Sequence, residues 1–577
     1  MEPRREGSRV VRASGPHSPP LDRPPTVSLA FVAYETAFAP CGGVAAVMAK
    51  LPGHVRRASD DETIVLTPFH HRIDKTARAR CEGIGSFGLT VHDRTVTFHV
   101  LKHEESASGD GVPHYFLKPE EGWIFNGGRH PYDVPNGDLL RDALVFGLAV
   151  PLALQVIRPG SRWTLLLQDW ECATVAVALA GQPHAHTCYL TLHNSYDCVA
   201  GAGELSVVRL NPMATPGGTV LHRALSFVRP EVFTVSDQFA LDLVDDTLQS
   251  RVIAPHLSRD LRGRLVGVDN GPFVECAVSS EMLLETAAGR PQTLRAWKAD
   301  HRAKFLKALA ETGTSPERPL WGNPHAFDGD DAPWFVMAGR DDPRQKGYDV
   351  HATAVADFLE RGGVGKFLFF PIPGDEGLPG LQFLRRLAER FPNNALVFPF
   401  LFREGFVAAL RGAAFGVMPS FYEPFGMAHE FVLNGTVGIG RATGGILQQI
   451  VPLRSAACFS AAVQARAARW HAASAAPTGL LFRERDGLAS EVNDWAALNA
   501  GHYSTGDGVP DRAQARGHLA LYRSMTRELR VALFDASRLV TRDPDLYDRM
   551  LVGGLLHIQQ SFSWERAAER YCRVAGG

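Results

Sequence analysis

Two cations and a carboxylate stand where a diphosphate could be held. Arg340 follows the apolar run Trp334–Ala338, and Lys346-Gly347 comes six residues later, ahead of a helical pattern. A guanidinium and an ammonium beside a helix N-terminus can neutralise an anionic leaving group. Further on, Pro419–Ile450 reads as strand end, tight turn, short helix, strand, glycine turn and helix. The spacing predicts a buried strand over Phe415–Met418, a turn at Glu423-Pro424-Phe425-Gly426 and a helix over Met427–Leu433. Asn434-Gly435 stops that helix, Val437–Ile439 forms a strand, and Thr443-Gly444-Gly445 opens the next helix. Two helix N-termini then lie at the carboxyl ends of neighbouring strands, where open α/β sheets bind ligands. The amides of Phe425, Gly426 and Met427 suit phosphate oxygens, and the Glu423 carboxylate suits sugar hydroxyls.

The first half supplies an opposing set. Val27–Ala33 is an apolar strand, and Cys41-Gly42-Gly43 leads into a helical pattern carrying Val44, Val47, Met48 and Leu51 on one side. Trp163–Leu167 ends in Gln168-Asp169-Trp170-Glu171, and Thr187–Leu192 ends in His193-Asn194. Polar residues at successive strand ends are what a cleft requires. His193, Ser195 and Asp197 lack a nucleophile-elbow pattern, so they do not read as a hydrolase triad. His99 and His103 lie four apart on an extended strand, too far apart to share an ion, and no metal site is expected.

Taken in order, these motifs resemble those of the glycogen and starch synthases, retaining glycosyltransferases of the two-domain GT-B fold. Ser420, Glu423, Pro424, Gly426, Gly435, Thr436, Thr443, Gly444 and Gly445 match the family's donor-binding stretch. Gly42 and Gly43 match its Lys-x-Gly-Gly turn, with Pro40 at the lysine position. Asp169 and Trp170 match an Asp-Trp-His segment in which Glu171 replaces the histidine, and His193 and Asn194 match an Ile-His-Asn segment. Arg340 and Lys346 keep the spacing of the eukaryotic-type synthases. Glu430 lies seven positions after Glu423, where the family places its second glutamate eight positions on.

The 577 residues imply at least two domains, because single cores rarely grow past ~300 residues. The resemblance implies an α/β GT-B architecture, two doubly wound Rossmann-like domains facing across a cleft. The expected divisions are a disordered tail over 1–26, an acceptor-side domain over 27–310, a linker over 311–333, a nucleotide-sugar domain over 334–550, and a C-terminal helix over 551–577 that crosses back. Glu281–Lys307 reads as helix, and Ala456–Ala476 as an exposed helical insertion. Asp328-Gly329-Asp330 reads as solvated loop in the linker. Trp564 is expected to be a packing anchor in the closing helix.

Hydrophobic content of 45%, charged content of 21% and a formal net charge of -2 describe a soluble chain with no electrostatic case for nucleic acid or an anionic membrane. Ala143–Ile157 is apolar but interrupted by Pro151, and reads as a buried helix leading into a proline break. The eight scattered cysteines suggest neither zinc nor a disulfide framework, and a cytoplasmic setting follows.

The resemblance implies transfer of α-glucosyl units from ADP-glucose or UDP-glucose to the nonreducing end of an α-1,4-glucan, with no cofactor beyond the donor. Arg340, Lys346, Glu423 and His193 are then the catalytic residues. Gly42, Gly43, Asp169, Asn194, Phe425, Gly426, Met427, Glu430, Thr443, Gly444 and Gly445 hold substrate. Pro40, Glu171 and the short Glu423–Glu430 interval keep two alternatives open: a homologue that binds without turnover, and a transferase that makes a small glycoside. The donor's base, the acceptor and the oligomeric state are not legible in the sequence.

Overall fold

The computed structural model describes residues 28–59, 61–103, 111–135, 138–180, 186–211, 217–312, 315, 318–329, 331–500 and 510–575. The expected N-terminal tail lies outside them. Two sheets organise the chain. The first is built from β1 (Ser28–Val32), β2 (Glu62–Pro68), β3 (Glu82–Val91), β4 (Arg94–His103), β5 (His114–Pro119), β6 (Trp163–Gln168), β7 (Thr187–Leu192), β8 (Val232–Thr234) and β9 (Leu265–Gly267). Their spatial order is β3-β4-β5-β2-β1-β6-β7-β8-β9. From β5 to β9 the neighbours are parallel, whereas β3–β4 and β4–β5 pair antiparallel. The hairpin strands anticipated between Cys81 and Asn136 therefore extend the sheet's edge.

The second sheet is wholly parallel. It contains β10 (Trp334–Arg340), β11 (Lys366–Ile372), β12 (Ala395–Val397), β13 (Phe415–Met418), β14 (Val437–Arg441) and β15 (Gly479–Phe482). Their order is β12-β11-β10-β13-β14-β15. Phe335 on β10 stacks between Phe367 and Phe415 of the adjacent strands, with ring centroids 4.8 and 5.2 Å away. Such continuous apolar strands are the mark of parallel sheets covered on both faces.

Each sheet reverses its winding once. The chain moves outward from β1 through β2 and returns to β6; likewise it moves from β10 through β11 and β12 and returns to β13. A crevice opens at the carboxyl end of such a reversal. The residues singled out in the sequence follow β1, β6 and β7 in one sheet, and β10, β13 and β14 in the other.

Several expectations are corrected by packing. The stretch 281–307 is two helices, Ser280–Ala287 and Gln292–Glu311, parted at Gly289, whose φ of 78° ends the first. Phe305 and Leu309 of the second helix are buried with Trp334 and Phe398 under the second sheet. Helix Gln292–Glu311 therefore packs with the second sheet, although it lies ahead of the division expected at 310. Within the expected linker, Trp321 pairs with Val397 and Gly322 abuts Ala395, so this part of the chain lies on the second sheet. Asp330 lies outside the described residues.

Pro151 does not break its helix, which runs from Leu139 to Ile157 and buries Ala149, Val150 and Leu154. That helix is long and apolar enough to cross a membrane, with a mean hydropathy of 1.7, but here it packs into the first domain's core. Nor is the Ala-rich stretch an exposed insertion. Ala462, Val463, Ala467 and His471 are buried, and Trp470 Nε1 donates to Gln238 Oε1 of the first domain at 2.6 Å.

Helix Pro544–Ser561 stays with the second domain, and the crossing is made by helix Trp564–Ala575. Trp564, Ala568 and Tyr571 are buried with Leu29, Phe31 and Phe233 of the first sheet. A Cβ on Gly271 would lie 2.5 Å from the indole Cγ, and Trp564 Nε1 donates to Pro272 O at 2.8 Å. Trp564→Ala removes this ring from a filled site, so thermal melting should show a lower midpoint, corresponding to ~3–5 kcal/mol of lost stability. An unchanged melting curve would contradict the anchor role.

Candidate active site

The second-domain wall is built on the ends of β10 and β13. Gly347, with φ of 68°, starts helix Tyr348–Glu360 and leaves Lys346 at its mouth. Lys346 Nζ lies 3.0 and 2.8 Å from the two oxygens of Glu423. Ser420 Oγ donates to the same carboxylate at 2.9 Å, and the Phe421 amide donates to Gln345 O at 2.7 Å. The two loops are thus stitched together, with Lys346 and Glu423 both mostly buried.

Arg340 is half exposed and reaches Asp342 Oδ2 at 3.3 Å. Behind it, Arg512 grips Asp341 through a fork of 2.5 and 3.1 Å, and Arg516 holds Asp349 at 2.8 Å. These paired arginines come from one turn of helix Arg512–Arg516 and fix both ends of the loop that carries Arg340 and Lys346. Arg340 and Glu423 border one crevice: Asp342 also accepts from Tyr196, whose hydroxyl meets that of Tyr422, the neighbour of Glu423.

The Glu423 turn depends on two glycines below it. The Gly445 amide donates to Glu423 O at 3.1 Å. A Cβ on Gly444, where φ is 44°, would sit 1.7 Å from that carbonyl oxygen, and one on Gly445 would sit 2.2 Å from Phe425 O. The Gly444 amide goes to Asp242 Oδ2 at 2.8 Å, with Thr443 Oγ1 at 3.4 Å from the same oxygen. Thr443, Gly444 and Gly445 are therefore not substrate donors in this arrangement; their polar groups are buried and already satisfied. By contrast, the amides of Phe425, Gly426 and Met427 make no hydrogen bond among the described residues.

The Gly42-Gly43 turn needs the same correction. Glu35 accepts from the Gly42 amide at 3.1 and 3.2 Å and from the Ala45 amide at 2.8 Å. A carboxylate of the chain itself thus occupies the helix-start donors that the sequence offered to a phosphate. Gly42 and Gly43 remain exposed, with open space beyond Gly43.

On the first-domain wall, Asp169 begins a helix in the left-handed region, with φ of 60°. It accepts from the His193 amide at 2.6 Å and from Asn194 Nδ2 at 3.2 Å. Asn194 Oδ1 accepts from the Tyr196 amide at 2.7 Å, so the Asn194 side chain works within the wall. His193 Nε2 lies 2.8 Å from Gln168 Oε1, while Gln168 Nε2 donates to Leu166 O. Gln168 must then accept at Oε1, which assigns the His193 proton to Nε2. Burial lowers the His193 pKa to about 4, leaving a neutral imidazole turned into the sheet.

Burial raises Asp169 to about 7 and pushes Glu171 well above the usual carboxylate range, with each acid reinforcing the cluster. Glu35 is raised by burial as well, against the pull of its amide donors. Glu430 sits in the first turn of helix Ala428–Leu433, held at about 7 by burial with Lys346 pulling the other way. Sequence reasoning missed Glu35, Tyr196, Asp242, Asp342 and Tyr422. Asp342 and Tyr196 lie close to motif residues and were open to discovery; Asp242 carried no local signal.

A family model described as the starch synthase catalytic domain matches residues 28–258. A glycogen synthase of Thioalkalivibrio sulfidiphilus is 25% identical over 548 residues, covering 92% of this chain and 95% of that protein. A glycogen synthase of Xanthomonas campestris pv. campestris is 26% identical over 439 residues, or 73% and 84% of the two chains. The chain is similar in sequence to the glycogen and starch synthases over most of its length. Its fold is that of the catalytic domain of Arabidopsis thaliana starch synthase IV, solved with ADP and acarbose. The TM-score is 0.66 at 16% identity, over 96% of this chain and 99% of that one.

For this synthase-like chain, the raised pKa of Glu430 makes a prediction. An acid held at about 7 in the fold, against about 4.3 unfolded, loses stability as pH rises between those values. Glu430→Gln should therefore melt higher than the parent chain at pH 8, with the difference closing near pH 4. Parallel melting curves at both pH values would contradict the assignment.

Proposed function

We propose that the chain transfers α-glucosyl units, with retention, from ADP-glucose or UDP-glucose to the nonreducing end of an α-1,4-glucan. The observation that carries this reading is the joining of Lys346, Glu423 and Ser420 beside Arg340 and the uncommitted amides of Phe425, Gly426 and Met427. A leaving nucleotide diphosphate gathers negative charge on the oxygen it takes from the sugar. Arg340 and Lys346 neutralise that charge, and the three amides add fixed dipoles. Glu423 accepts from hydroxyls of the hexose, while Glu430 faces the ribose. The acceptor hydroxyl attacks from the face that the diphosphate leaves, and its proton passes to the departing phosphate. The main chain at His193 lines the positive centre.

Glu423 as the nucleophile of a double displacement is less favourable. Both of its oxygens are engaged by Lys346, and one also by Ser420, which lowers its reactivity toward a sugar carbon. A chain that binds donor or glucan without transfer is the second reading. It is favoured by Pro40, which brings no charge, and by Glu35, which fills the Gly42 and Ala45 amides.

Purified chain incubated with labelled ADP-glucose or UDP-glucose and glycogen decides between them. Label should enter the polymer; donor binding without incorporation would select the second reading, and label in a small product would select a small glycoside. Arg340→Ala and Lys346→Ala should each slow transfer by ~10²-fold or more, as for loss of one oxyanion donor, with circular dichroism unchanged. Parent-like rates in both variants would refute the phosphate assignment.

A further inference from the structure

The cleft is crossed by a hydrogen-bonded chain in which Tyr196, Tyr422 and Asp342 have no role in the transfer described so far. Tyr196, three residues past His193, donates its hydroxyl to Asp342 Oδ2 at 2.9 Å. The Tyr422 hydroxyl lies 3.0 Å from that of Tyr196. Since the single proton of Tyr196 goes to the carboxylate, Tyr422 donates to Tyr196 and the chain ends on Asp342. The same Asp342 oxygen takes Arg340 at 3.3 Å. Its other oxygen accepts the Arg344 amide at 2.9 Å, and its backbone carbonyl accepts the amides of Gln345 and Lys346 at 3.1 and 3.0 Å. On the far side, Tyr196 is held by Asn194, which is held by Asp169.

A continuous set of contacts thus runs from the end of β6 to the end of β10, the winding reversals of both sheets. Its chemistry is directional. A carboxylate oxygen that already accepts a phenolic proton competes less strongly for a guanidinium. With the cleft shut, Tyr196 weakens the claim of Asp342 on Arg340; with it open, Asp342 and Arg340 are left to each other. We propose that Tyr196 and Asp342 are positioning residues that report closure of the first domain to the phosphate-binding loop and release Arg340 toward the leaving diphosphate. The proposal rests on the transfer reading above for what Arg340 does, and on geometry alone for the latch.

The test uses the full chain with Tyr196→Phe, Asp342→Ala and the double variant. Steady-state transfer from the nucleotide-glucose to glycogen should show kcat reduced about tenfold in Tyr196→Phe, with the donor KM within about twofold. Adding Tyr196→Phe to Asp342→Ala should cost nothing further. Hydrogen–deuterium exchange in the absence of substrate gives a second readout. Loss of the Tyr196 hydroxyl should speed exchange in peptides covering 340–348 and 193–198 and leave the sheet cores unchanged. Parent-like kcat in Tyr196→Phe, or additive losses in the double variant, overturns the positioning role. Unchanged exchange in both peptides overturns the latch even if no nucleotide sugar is turned over, whereas absence of transfer by the parent chain counts only against the transfer reading.

Discussion

The Lys346–Glu423 ion pair is the contact on which the second-domain wall depends. It joins the loop after β10 to the loop after β13, and both loops leave the sheet at its winding reversal. A mostly buried pair of this kind holds geometry more than it adds stability, since desolvation offsets much of the Coulomb gain. Its surroundings agree with that role. Ser420 and Gln345 approach the carboxylate, Arg512 and Arg516 clamp the cationic loop from behind, and Gly444 and Gly445 admit a helix against the carbonyls of Glu423 and Phe425. No side chain fits at those two glycines, so the turn's shape is set from below as well as from across.

Helix starts in this fold are not equivalent. Two of those near the cleft already hold a carboxylate: Glu35 at Gly42 and Ala45, and Asp242 at Gly444. Each carboxylate satisfies helix-start donors from within the chain and removes that terminus from competition for a phosphate. The start of helix Ala428–Leu433 differs, because the amides leading into it meet no acceptor among the described residues. These uncommitted amides lie on the turn after Glu423, whose carboxylate pairs with Lys346. Asp242 also comes from the first domain, so its bond to Gly444 ties the domains together at the point that supports Glu423.

The fold was legible because parallel strands are written as unbroken apolar runs: Thr187–Leu192 and Phe415–Met418 carry their own ends. The chemistry at strand ends was legible for the same reason, as Arg340, Lys346, Glu423, Asp169 and His193 stand just past such runs. Partnership was not. Whether a glycine's amide faces solvent or a carboxylate far along the chain depends on tertiary placement, and Thr443-Gly444-Gly445 looks the same in both cases. Tertiary placement also decides where helix Gln292–Glu311 belongs: the sequence reading put it in the domain over 27–310, yet Phe305 and Leu309 pack it on the second core. Pro151 was misjudged because tertiary packing on the first sheet outweighs the local cost of a proline within a helix.

The first-domain wall has an electrostatic character that bears on which substrate group can face it. Asp169, Glu171 and Glu35 are buried near one another, and each is shifted toward its protonated form by burial; Glu35 adds to the shift of Asp169, and Asp169 and Glu35 add to that of Glu171. A fully ionised trio would repel a diphosphate across the cleft and would itself be unstable. The His193 imidazole, neutral and tied to Gln168, adds no positive charge to that side. The charge of the cleft is therefore unevenly placed: Arg340 and Lys346 stand on the second-domain wall, opposite a wall whose buried acids are shifted toward neutrality.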